Sequence, residues 1–182
     1  METAYNESAK TKKEIDIRGR FMMMACDIEY CLFNIIMFCN PDPHHHERMG
    51  QFKKMRMNAK IDGAIADMKK YKADYYKEFE EEFNSLEEYR KVRNDMSHAV
   101  GIFPNDPDLS IFRISFVDEL EGVPRMRWRD YPDTYIASAF SQFSKINLKL
   151  TILWKRLADE ANVRMNPFGV DSTNNVPPDN LY

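Results

Sequence analysis

Glycine is scarce in this chain, at six residues of 182, which reads as globular and helix-rich rather than disordered. Cysteine is scarcer still. Cys26, Cys31 and Cys39 are the only three, and they lie in one apolar stretch without the CxxC spacing of a zinc site. They are read as buried free thiols of a cytoplasmic protein. Positive charge is not in excess: 26 Lys and Arg face 29 Asp and Glu, a net charge of -3. Any surface for a nucleic acid must therefore be a local patch on an acidic body. No apolar run approaches the roughly 18 residues of a membrane span, and the polar N-terminus carries no signal-peptide pattern, so no membrane partner is expected.

Hydrophobic residues make up 43% and charged ones 30%, the balance of one ordinary globular domain with a sizeable core. The periodicity is helical over most of the length. From Lys10 to Cys39 apolar residues recur every three or four positions, at Ile17, Phe21, Met24, Ile28, Leu32, Ile35 and Cys39, after a loosely ordered lead-in. Asp27 and Glu29 interrupt this stripe. Such carboxylates either face solvent or sit beside a cation, because an unpaired buried charge is too costly.

A second helix is predicted over Met55 to Tyr71, with Met57, Ile61, Ile65 and Met68 inward and Lys60, Asp67, Lys69 and Lys70 outside. A third runs from Ala73 to about Val100, burying Tyr76, Phe79, Phe83, Leu86, Tyr89 and Val92. Its acidic run Glu78, Glu80, Glu81 and Glu82 reads as a wet face. A fourth spans Thr134 to about Ala161. The expected fold is all-α: a bundle of four long helices with a small β-hairpin inserted before the last. The helical domain covers 10–162, and 163–182 forms a flexible Pro/Asn-rich tail.

The hairpin follows from a change of period. Phe112, Ile114 and Phe116 alternate with Arg113 and Ser115, and Met126 and Trp128 alternate with Arg125, Arg127 and Arg129. One apolar and one basic face are expected. Four arginines on one side of a ribbon suit phosphates, although a solvated face accounts for them as simply. The run His44-His45-His46 after Asn40-Pro41 reads as a solvated loop; adjacent side chains diverge and no carboxylate or cysteine spacing supports a metal site.

The most informative stretch is Arg93-Asn94-Asp95-Met96-Ser97-His98, the last turns of the third helix before the stop signals Gly101 and Pro104. Asn94 and His98 stand four apart on one face. Arg93 lies about 140° round the helix from His98, so only a long side chain or a second copy of the helix brings the guanidinium to the imidazole. On spacing alone, a polar helix end favoured by the dipole accounts for the pair. Chemically, an imidazole can take and return a proton near neutral pH, and a guanidinium suits bidentate contact with phosphate.

Taken with the Ile28-Glu29 pair in the first helix and Lys60-Ile61 in the second, this arrangement resembles the HEPN domain family (higher eukaryote and prokaryote nucleotide-binding). The resemblance covers roughly residues 15 to 160. It implies a metal-independent ribonuclease without a cofactor, acting in a toxin-antitoxin or phage-defence setting. Arg93 would then hold the scissile phosphate, His98 would act on the 2′-hydroxyl or the leaving oxygen, and Asn94 and Glu29 would orient them. Arg113, Arg125, Arg127 and Arg129 would widen the RNA footprint. It also implies a homodimer in which both copies of Arg93 and His98 share a cleft, and an antitoxin partner. The alternative within the family is a non-catalytic module that binds a nucleotide or a protein.

Overall fold

In the computed structural model, residues 2–41, 50–52, 54–98, 110–120 and 123–161 are described. Helix α1 spans Glu2–Cys39, α2 Met57–Tyr71, α3 Ala73–Glu78 and α4 Glu80–His98; strands β1 (Ile111–Leu120) and β2 (Val123–Pro132) precede α5, Asp133–Glu160. The molecule is mainly helical with one small antiparallel sheet before its last helix. His44 to His46, Gly101, Pro104 and the tail 163–182 lie outside the described residues.

Helix α1 is the spine. Its stripe Ile17, Phe21, Ala25, Ile28, Leu32, Ile35 and Cys39 is buried, and it packs most extensively along α5 and next against α2. Phe21 stacks on Phe140 at 4.4 Å between ring centroids and meets Phe143 edge-on at 6.1 Å, while Tyr89 of α4 reaches the same Phe143 at 5.1 Å. Three helices thus share one aromatic knot, the arrangement that ring quadrupoles favour. On α5 Ile136, Phe140, Phe143, Ile146, Leu150, Leu153, Trp154 and Leu157 are all buried.

Four expectations need correction. The first helix begins at Glu2, not near Lys10. The third is two helices, because the chain leaves helical geometry at Phe79, with φ -112° and ψ 18°. The break starts a fresh N-terminus where Glu80, Glu81 and Glu82 fill the first turn, so this acidic run complements the helix dipole as well as facing water. A stretch within Thr11–Cys39 is, by length and composition, apolar enough to cross a membrane; here Phe21, Ile28, Leu32 and Ile35 spend that apolarity in the core, at 0% exposure. Lastly, Cys26 is exposed, whereas Cys31 and Cys39 are buried.

The cysteines give a direct check on this packing. Burial pushes the Cys39 thiol up to about 12, with nearby Asp67 adding to the rise, and burial likewise raises Cys31. Only thiolates react with disulfide reagents. One thiol of the three should therefore titrate quickly in the native protein and the other two only after urea, as read by absorbance on reaction with an aromatic disulfide.

The hairpin also departs from expectation. Its register pairs Phe112 with Tyr131, Arg113 with Asp130, Ile114 with Arg129, Phe116 with Arg127 and Asp118 with Arg125. Directly opposed residues share a face. Arg125, Arg127 and Arg129 therefore lie on the face of Phe112, Ile114 and Phe116, and Arg113 lies on the other, with Trp128 and Met126. The sheet has no purely basic side. Pairing register, which alternation within single strands does not reveal, decides which residues become neighbours.

Candidate functional site

The helix α4 carries a polar face made of Arg90, Arg93, Asn94 and His98, whose spacings of three, four and eight residues from Arg90 place them along one side. That side faces the start of α2 and the middle of α1, and between them opens a cleft of about 690 Å³ lined by Glu29, Arg56, Lys60, Arg90, Arg93, Asn94 and His98, among others. Arg93, Asn94, His98 and Glu29, the four residues singled out from the sequence, thus line one cavity of a single protomer. Arg93 and His98 border this cavity from one copy of the helix.

Arg93 bridges the two helices. Its Nη1 donates to Asn94 Oδ1 at 3.3 Å, and its Nη2 lies 3.8 Å from Glu29 Oε1. Among the described residues its buried Nε makes no hydrogen bond. The guanidinium is therefore held between Asn94 and Glu29 with its Nε turned inward. Its side chain is 23% exposed, and His98 is exposed at the helix end, so both are reachable from the cleft.

Lys60 does not lie on the outside of α2. It is 5% exposed, its Nζ donates to Glu29 Oε2 at 2.5 Å, and it sits over the Phe52 ring at 4.9 Å. Burial of an ammonium requires such a partner. Of the two carboxylates that interrupt the apolar stripe of α1, Glu29 pairs with a cation and Asp27 faces solvent.

Sequence reasoning missed Arg56, Lys60 and Arg90 as cleft residues. Arg90 carried a signal, since it lies three before Arg93 and four before Asn94. Lys60 carried a fainter one: it falls three after Met57 and four before Ala64, both buried, which is an inward position. Arg90 is engaged by Glu87 through bonds of 2.7 and 2.5 Å. Arg56, the residue preceding α2, is exposed.

The hairpin is fastened beside this site. Asp95, next to Asn94 but turned the other way, accepts from Arg129 and from the Tyr131 hydroxyl. Arg113 forms a two-pronged pair with Asp130 at 2.5 and 2.6 Å, which holds that carboxyl below its usual range. Two of the four hairpin arginines are therefore tied to carboxylates. Arg125 and Arg127 extend along exposed β2.

Among the described residues that line it, the cleft carries Arg56, Lys60, Arg90 and Arg93 beside the carboxylate of Glu29, within a chain whose net charge is -3. Lys60 is paired with Glu29 and Arg90 with Glu87, so Arg56 and Arg93 are the cations that give the cleft its excess of positive charge. No family model matches the chain, and neither a characterised protein nor a solved structure matches it.

Proposed function

We propose that this cleft is the active site of a metal-independent endoribonuclease of the HEPN type, acting on single-stranded or looped RNA. The observation that carries the reading is the convergence of Arg93, Asn94, His98 and Glu29 on one cationic cavity of an acidic protein. In this reaction the 2′-oxygen attacks the adjacent phosphorus and the 5′-oxygen departs. His98 takes the proton from the 2′-hydroxyl or gives one to the departing 5′-oxygen, water exchanges the proton at the other oxygen, and Arg93 stabilises charge on the non-bridging phosphate oxygens. Asn94 and Glu29 orient Arg93. The products are a 2′,3′-cyclic phosphate end and a 5′-hydroxyl end.

The test is incubation of single-stranded RNA with the purified protein in EDTA. Fragments with cyclic phosphate ends support the proposal, and intact RNA overturns it. The second reading, a non-catalytic module binding a nucleotide, is favoured by the bonds that already engage Arg93 within one protomer; it predicts binding without fragments. The biological setting proposed is a toxin or phage-defence effector with an antitoxin partner. Growth arrest on expression of the native chain, absent for His98→Ala, is its signature. The proposed homodimer now rests on the concentration of positive charge that two clefts side by side would give, and light scattering decides it.

Within the same proposal Arg125, Arg127 and Arg129 lengthen the RNA footprint from the hairpin. Reversal of Arg125 to Glu should weaken RNA affinity and reduce the salt slope by about one, the effect of one lost phosphate contact. The cleavage products should stay the same. Smaller losses are expected at Arg113 and Arg129, because Asp130 and Asp95 already engage them.

A further inference from the structure

Glu29 is shared unequally between two cations. Its Oε2 accepts from Lys60 at 2.5 Å, while its Oε1 stays 3.8 Å from Arg93. The reason lies in burial. The Lys60 side chain is 6% exposed and that of Arg93 23%, so the lysine, cut off from water, has the stronger need of the carboxylate. Arg93 is left with one bond to Asn94 and with a buried Nε that has no hydrogen-bond partner among the described residues. The Nε and Nη2 edge of a guanidinium is well shaped for a carboxylate. Were Lys60 neutral, Glu29 could turn and close on that edge.

We propose that Lys60 is a positioning residue: it holds Glu29 back from Arg93 and so keeps the guanidinium uncommitted for a phosphate oxygen. The proposal rests on the reading of the cleft as a phosphate-binding site. It makes the charge state of the site depend on the seating of α2 against α1, since the lysine comes from one helix and the carboxylate from the other. Lys60 itself touches no substrate. Its loss should act through Arg93, against the simpler expectation that a cleft lysine attracts RNA by its own charge.

The experiment has two arms. In the first, a short single-stranded RNA with 2′-O-methyl sugars, which cannot be cleaved, is titrated by fluorescence anisotropy. Lys60→Met should weaken binding about fivefold or more, yet in an Arg93→Ala background the same substitution should change it less than about twofold. Equal losses in both backgrounds would mean that Lys60 acts by its own charge, and the proposal fails. The second arm needs no ligand. Urea midpoints are measured for Glu29→Gln, Arg93→Gln and the pair, with and without Lys60→Met. The coupling between the two changes should be weak when Lys60 is present, as the 3.8 Å approach of Arg93 to Glu29 implies, and clearly stronger when it is replaced. Unchanged coupling overturns the proposal. If Lys60→Met does not fold, Lys60→Gln takes its place in both arms, with the same direction expected. A protein that does not bind the probe would remove the ribonuclease reading, while the urea arm still decides the role of Lys60.

Discussion

His98→Ala should reduce RNA cleavage by about a hundredfold or more, the usual contribution of a positioned proton carrier, and leave the thermal midpoint nearly unchanged. The second half of that expectation comes from placement. His98 is exposed at the last position of α4, so its truncation opens no cavity and strands no buried partner. Arg93→Ala should lose activity comparably, by removing stabilisation of the charged phosphate oxygens. It differs in a second readout: Arg93 joins α4 to Glu29, so its removal should also lower stability slightly. Single-turnover rates with a fluorescent RNA, beside thermal melts, separate the two variants. Full cleavage by His98→Ala would sink the proposed mechanism.

Phe21→Ala carries the largest expected loss of stability. The ring is 0% exposed, stacks on Phe140 and meets Phe143 edge-on, so truncation removes contacts to α5 and leaves a void at the point where α1, α4 and α5 meet. Burying and then deleting a phenylalanine costs about 3–5 kcal/mol. For a chain of this length that lowers Tm by roughly 10 °C. The cleft is lined from α1 by Glu29 and not by Phe21. At a temperature where the variant is still folded, RNA binding should therefore match the native protein. Unaltered melting would show that the α1–α5 seam is not the core.

The helices were legible because each buries a continuous stripe. Phe21, Ile28, Leu32 and Ile35 on α1, and Phe140, Phe143, Leu150 and Leu157 on α5, announce a period near 3.5 in any window of the chain. The break at Phe79 was not legible, since apolar spacing continues through it from Tyr76 to Phe83 and only the backbone angles reveal it. The spacing of Arg93, Asn94 and His98 was likewise visible, because helical neighbours are fixed by residue number alone.

Relations between elements are of another kind. Nothing in the local sequence of Lys60 says that Glu29, 31 residues earlier, is its partner, and a charged side chain on an amphipathic helix reads as surface. The hairpin shows the same limit: alternation marked both strands, but the pairing of Phe116 with Arg127 rather than with an apolar residue depends on register. By itself the sequence determined the helical stripes, the two strands and the polar face of α4, all of which follow from periodicity along one chain segment. Only the tertiary structure decided that Lys60 is buried, that Glu29 stands between two cations and that the arginines of β2 lie on the face of Phe116, because these depend on free energies of desolvation and packing between segments distant in sequence.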